Sequence, residues 1–187
     1  MNNKYHESLF DYFKSKNEEF EERTNVPKKV IGGLLTIGFI VLIIFPGIIM
    51  EGWLVRGGAI LCLLFAAGYT FLGGTDIFSK KTGGKITSMG MVKFANPERG
   101  TVPFDPEDMH IINMYNNNDW AGLADEPTAD DRPMQLEIQE DKNNKILYLL
   151  LRRYVTSARL EGVTEVKVIT EPEYTQIIKL FRSMKKY

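Results

Sequence analysis

The chain is poor in the residues on which most metal and redox chemistry depends. It contains one cysteine and two histidines among 187 residues. A disulfide within the chain is therefore excluded, and so is a metal cluster held by several cysteines. The net charge is only −1, because 23 basic residues nearly balance 24 acidic ones. Without the basic excess typical of nucleic-acid binding, no nucleic-acid partner is expected.

Charge is also missing from two long apolar stretches, which are the strongest signal in the sequence. Residues 30–50 carry no charged side chain, and residues 53–73 carry only Arg56. A helix needs about 20 apolar residues to cross a bilayer. The pattern predicts a transmembrane helical hairpin over residues 30–74, with spans at 30–50 and 53–73. The first stretch is too long for a secretory signal, so we expect it to be retained.

The basic residues that flank this hairpin are all lysines: Lys28, Lys29, Lys80, Lys81 and Lys85. The connecting segment carries one base, Arg56, offset by Glu51. The positive-inside rule therefore predicts a protein integral to the cytoplasmic membrane with both termini in the cytoplasm. The flanking lysines are also candidates for contact with anionic lipid headgroups.

The composition of the spans bears on function. No Asp, Glu, Lys, Arg or His lies within 30–50 or 57–73, whereas proton relays and ion pathways usually need such residues. Small residues that would let another helix approach closely recur in the second span: Ala59, Cys62, Ala66 and Gly73. Two interpretations stay open. This face packs against the first span, or it packs against helices of a homo-oligomer or a larger membrane complex.

Residues 1–29 are expected to form an N-terminal amphipathic cytoplasmic helix that ends at Pro27. Its aromatic and apolar side chains fall largely along one helical stripe: Tyr5, Leu9, Phe10, Tyr12, Phe13 and Phe20. This stripe faces either the membrane surface or the protein's own cytoplasmic domain, and the sequence does not favour one of these.

Residues 75–187 predict a small cytoplasmic α+β domain, in which one or two helices pack on an antiparallel sheet. Gly83-Gly84 marks a two-residue turn between strands, and 134–140 and 163–169 read as further strands. Residues 145–160 fit a helix or the second arm of a β-hairpin, and the turn residues before them favour the strand.

Two helices are expected in this domain. One begins at Pro106 and places Met109, Ile112 and Tyr115 on one face. The closing helix follows a capping box at 170–173. Its buried face is predicted to contain Tyr174, Ile177, Ile178, Phe181 and Met184.

The domain shows no recognisable catalytic motif. His110, the only histidine after residue 75, stands near Asp105 and Asp108, which are better explained as helix-capping residues than as metal ligands. Residues 79–85 resemble a phosphate loop, but Ile86 replaces the Ser or Thr that should follow the lysine. No catalytic, cofactor or metal site is therefore predicted.

Three classes of function fit these patterns. The first is a non-enzymatic integral membrane protein, an anchor or accessory subunit that presents an interaction domain at the cytoplasmic membrane face. The second is a membrane-tethered enzyme that acts on a lipid or a membrane-associated substrate. The third is a membrane-perturbing effector whose hairpins oligomerise.

Overall fold

The computed structural model describes residues 5–45, 53–72, 75–94, 106–128, 134–156, 159–184 and 186. The chain divides into two compact units. One, here the helical unit, is Glu22–Asp76. The other, here the sheet domain, combines Met1–Glu21 with Ile77–Tyr187.

The helical unit consists of α2 (Val26–Ile44) and α3 (Trp53–Leu72), which pack against each other. Asn25 caps α2, because its side-chain oxygen accepts a hydrogen bond from the Lys28 amide at 3.1 Å. Pro27 lies in the first turn, where a helix needs no amide donor. The expectation that Pro27 ends an earlier helix is therefore wrong, since Pro27 belongs to the start of α2.

Among the described residues, only α2 is long and apolar enough to cross a membrane by length and composition. Within α3, a shorter apolar segment covers Arg56–Gly68. The predicted pair of spans is thus supported for one helix, and the second span is not confirmed. Residues 46–50, the end of the first predicted span, lie outside the described residues.

The sheet domain is α+β, as predicted. Seven strands form one sheet in the order β1 to β6, with β7 also paired to β5. The strands are β1 (Phe20–Thr24), β2 (Thr75–Ser79), β3 (Lys85–Lys93), β4 (Met134–Asp141), β5 (Ile146–Thr156), β6 (Arg159–Gly162) and β7 (Lys167–Ile169). The pairings from β2 to β6, and that of β7, are antiparallel. Residues 146–156 and 159–160 therefore belong to strands β5 and β6, so the helix interpretation of this segment is wrong.

Four helices accompany the sheet: α1 (Leu9–Ser15), α4 (Pro106–Asn116), α5 (Trp120–Asp125) and α6 (Glu173–Ser183). On one face, α4, α5 and α6 cover Leu147, Leu149 and Leu151 of β5 to form the first core. On the other face, Leu9, Phe13 and Phe20 cover Tyr148 and Leu150 to form the second core, which also contains Ile77 and Ile86. Within β5, residues 147–151 are buried on both faces of the sheet.

The N-terminal segment departs most from expectation. A helix through the first 29 residues is wrong, because α1 ends at Ser15 and residues 20–24 form β1. Leu9, Phe13 and Phe20 are buried in the second core, so these residues pack against the sheet domain, whereas Phe10 of the same stripe is 38% exposed. Phe20 is the one buried residue of β1, so this strand has no alternation that would distinguish it from the end of a helical stripe.

Smaller corrections concern turns and faces. The connection between β2 and β3 covers residues 80–84 instead of two residues. In α4, Met109 is exposed while Ile111 and Tyr115 are buried. The strand expected over 163–169 covers only its last part, β7. Helix α6 buries the predicted face in full, but no side chain caps its start.

Candidate functional site

The base of the helical unit holds a polar cluster that joins the two ends of its helices. Asn25 Nδ2 donates to Asp76 Oδ2 at 2.8 Å, across 51 residues of sequence. Lys28 Nζ lies 3.8 Å from Asp76 Oδ1. Asn25 therefore caps α2 and binds the carboxylate that follows α3. The cluster therefore links Asn25, which precedes α2, to Asp76 of β2, the strand that follows α3.

The predicted lipid-contact lysines divide into two groups. Lys28 and Lys29 lie in the first turn of α2. Lys80 and Lys81 follow the five-residue strand β2, and Lys85 begins β3, where it pairs with Phe78. Lys80 Nζ also donates to the Asn17 carbonyl at 2.6 Å. Of the five lysines predicted to contact lipid, Lys28 and Lys29 belong to the helical unit, and the other three belong to the sheet domain.

The loop that resembles a phosphate-binding loop holds a carboxylate of the chain itself. Asp141 is fully buried and accepts hydrogen bonds from Thr82 Oγ1 at 3.0 Å and from the Asn144 amide at 3.1 Å. A Cβ on Gly84 would overlap this carboxylate. Because Asp141 occupies the donors that an anion would need, the loop organises two turns and does not favour phosphate.

A second buried carboxylate, which the sequence did not suggest, lies on β4. Glu137 accepts from Arg152 Nη1 at 3.1 Å and from the Leu9 amide at 3.1 Å. Glu137 and Arg152 are diagonal neighbours on adjacent strands, because Glu137 pairs with Leu150. Arg152 Nε is buried without a partner. The alternation of β4 had indicated only one apolar face, on the opposite side from Glu137.

Glu140 lies on the opposite face of β4 and accepts hydrogen bonds from two residues of α6. These are Tyr174 Oη and, at 2.9 Å, Arg182 Nη2. Burial, followed by the Glu140 carboxylate, raises the pKa of Tyr174 to about 12. Because Tyr174 and Arg182 both belong to α6 and both bind Glu140 of β4, these hydrogen bonds hold α6 on the sheet.

Lys167 has a comparable structural role at the end of α4. Its ammonium donates to the carbonyls of Tyr115 and Asn116 at 2.6 and 2.9 Å. These carbonyls close the last turn of α4, where a cation is favourable. Desolvation lowers the pKa of Lys167.

The histidines do not form a catalytic group with the described residues around them. The exposed His110 lies 3.2 Å from Glu126. His6 also belongs to the sheet domain, so this domain contains two histidines. The ring of His6 packs edge-on against Tyr12. No group of three or more metal-ligating side chains occurs among the described residues.

The predicted helix-packing face is divided in the structure. Ala59 and Ala66 of α3 are buried, as is Gly32 of α2, whereas Cys62 is exposed. Gly73 lies outside the described residues. The two buried alanines lie on the side of α3 that packs within the helical unit.

Comparison of the chain with protein-family models, with curated proteins and with solved structures finds no match. Function must therefore be argued from the geometry alone.

Proposed function

We propose that this protein is a non-enzymatic membrane anchor, or accessory subunit, whose helical unit crosses the bilayer twice and whose sheet domain is an interaction module in the cytoplasm. The first support is the exposed apolar surface of the helical unit. Large aliphatic and aromatic side chains project outward from both helices, with Leu34 65% exposed on α2 and Phe65 72% exposed on α3. Water does not favour such a surface, and a bilayer does.

The observation that carries the proposal is that the sheet domain is built from both sides of the helical unit. Leu9, Phe13 and Phe20 precede α2, yet they bury Tyr148 and Leu150, which follow α3. A signal sequence cleaved after α2 would remove this half of the second core. The packing therefore supports retention of α2 in the mature protein.

The same packing bears on the number of crossings. Residues that form one folded domain must lie on one side of the membrane. If α2 crosses, the chain must cross again before β2, and α3 is the apolar helix between them. The Asn25–Asp76 bond at the base of the helical unit agrees with this, because it joins the two ends directly. Two crossings follow even though α3 alone is a weaker candidate.

The polar chemistry of the sheet domain supports an interaction module over an enzyme. The buried carboxylates of Glu137, Glu140 and Asp141 each accept hydrogen bonds that position a helix or a turn. Catalytic acids and bases instead need a group directed at a substrate. A role in assembly requires no such group.

Topology can be tested by labelling with a membrane-impermeant maleimide in a Cys62→Ala background. In intact cells, Gly52→Cys should be labelled from outside. Lys14→Cys and Ser183→Cys, both at exposed positions of the sheet domain, should react only after permeabilisation. Labelling of Lys14→Cys and Ser183→Cys on opposite sides of the membrane would refute the two-span proposal.

Assembly is tested by crosslinking in native membranes before extraction. A higher-mass crosslinked species that contains this chain supports the accessory-subunit role. A chain that remains monomeric in native membranes, together with lipid-directed enzymatic turnover by the purified protein, would favour the tethered enzyme instead.

A further inference from the structure

The two faces of β5 are covered by parts of the chain with different origins. Leu149 faces the first core, whose helices all follow the helical unit in sequence. Leu150, its neighbour, faces the second core, whose cover precedes the helical unit. Both side chains are fully buried. One core can therefore form from residues after 77 alone, whereas the other needs residues that come before α2.

The cover over the second core is residues 5–21, here the N-terminal cover. Phe13 and Phe20 pack edge-on against Tyr148, with ring centroids 5.0 and 5.8 Å apart. A hydrogen bond from the Leu9 amide to Glu137 joins the start of α1 to the sheet. Helix α1 has only seven residues, so its stability depends on this packing.

The charges beneath the cover do not resist its removal. If α1 lifts away, Glu137 loses the Leu9 amide but keeps Arg152 and the Gln139 amide, 3.1 Å from its other oxygen. Opening also removes the Asn17 carbonyl from Lys80 Nζ and Glu7 from Arg159, but both cations lie on exposed side chains that water can solvate. Glu137 therefore stays paired when the cover opens.

The cover is tied directly to the helical unit. Strand β1 ends at Thr24 and α2 begins at Val26, so only Asn25 separates them. We propose that the N-terminal cover is a displaceable element whose closure over Tyr148 and Leu150 depends on complete insertion of the helical unit. The dependence on insertion rests on the proposed two-span topology. The device exposes an apolar face of the sheet when the hairpin is not fully inserted, while the first core stays intact.

The separable cover is tested with adjacent cysteines on opposite faces of β5. In a Cys62→Ala full-length protein in native membranes, Leu149→Cys and Leu150→Cys should both react slowly with maleimide. Phe13→Asp places a charge in the second core and should expel α1. We expect labelling at position 150 to accelerate about tenfold or more, with less than about twofold change at 149, as local opening predicts. Acceleration at both positions, or at neither, would overturn the proposal.

The dependence on insertion is tested with Leu61→Arg combined with Leu64→Arg, which places two charges on exposed positions of α3. The expected result in permeabilised membranes is again fast labelling at 150 and slow labelling at 149. If position 150 stays protected, the cover closes without the second crossing and the coupling is refuted. Labelling of Gly52→Cys in otherwise unaltered protein reports the topology separately, so failure of the proposed function is distinguished from failure of this device.

Discussion

The helical unit and the sheet domain place large and small side chains in opposite positions. In the sheet domain, Phe181 and Tyr115 are fully buried, and exposed positions are mostly polar. In the helical unit, the residues at the helix contact are small, among them Gly32, Ala59 and Ala66, while Leu64 and Phe65 project outward. The difference agrees with the proposal that the two units lie in different solvents.

Water and lipid explain this inversion. In water, burial of large apolar groups drives packing, so they fill the interior. In lipid, burial of an apolar group gains little, and helices associate through close van der Waals contact, which small residues permit. This inversion of side-chain size is what the proposed placement of the helical unit in lipid and of the sheet domain in water predicts.

The largest effect should come from replacing one phenylalanine with alanine in each unit and comparing the two variants. Phe181→Ala should lower the free energy of unfolding of the sheet domain by about 3–5 kcal/mol, because the ring is fully buried. Phe65→Ala, at a position 72% exposed, should change it by less than about 0.5 kcal/mol. Trp120 fluorescence in a Trp53→Phe background follows domain unfolding in detergent. Similar losses for both variants would remove the distinction between the units.

Introduced charge sharpens the comparison at exposed apolar positions. Leu64→Arg should disfavour membrane insertion by roughly 2.5–3.5 kcal/mol if the site lies near the bilayer centre. Val168→Arg, at an exposed position of β7, should cost less than about 0.5 kcal/mol. Carbonate extraction of native membranes measures the first effect, and Trp120 fluorescence the second. Full membrane retention of the Leu64→Arg protein would contradict a lipid-facing position.

Glycines provide a smaller contrast. Gly84→Ala should destabilise the sheet domain by about 1–3 kcal/mol, since its Cβ would overlap the Asp141 carboxylate. Gly58→Ala in α3 meets no atom within 4 Å and removes a helix-interior glycine, which should stabilise the helix by up to about 1 kcal/mol. Thermal unfolding followed by circular dichroism compares the two. A neutral Gly84→Ala would mean that the loop at 80–84 moves freely away from Asp141.

The smallest effect is confined to the sheet domain at alkaline pH. Tyr174 has a pKa near 12 in the folded protein and an ordinary value of 10.0. Between these values the unfolded chain loses the proton that the folded chain retains, so stability should be complete below pH 10 and fall as the pH rises towards 12. Tyr174→Phe should make this decline shallower. Denaturation midpoints measured across this range give the slopes, and equal slopes would show that Tyr174 is not the group concerned.

The sequence predicts those helices and strands whose hydrophobic periodicity is visible within the element itself. Strand β4 and the buried face of α6 follow from alternation and from the spacing of Tyr174, Ile177 and Phe181, whereas β5 was favoured over a helix only by the turn residues before it. Strand β1 could not be identified this way, because Phe20 is its only buried residue and the strand depends on pairing with β2. Tertiary contacts decided the structure there.

The polar clusters were equally hidden. Glu137 and Arg152 lie 15 residues apart in sequence and meet only once the register of β4 and β5 is known. Similarly, Lys80 and Lys81 are close to the apolar segments in sequence, but they belong to the sheet domain and not to the helical unit. Linear spacing describes local faces well, but it does not describe which residues a sheet brings together.

One consequence follows from the adjacency of β1 and β2 in the sheet. With respect to strand order, the whole helical unit is a long insertion in the connection between two neighbouring strands. The entropy of closing a loop grows only slowly with its length, by about 0.6 kcal/mol for each doubling, so the sheet tolerates such an insertion at modest cost. Replacing residues 25–74 with a short turn removes any membrane crossing between the N-terminal cover and the rest of the sheet domain, so both cores should form in a water-soluble domain. Conversely, the connection is a natural position at which to graft other membrane hairpins.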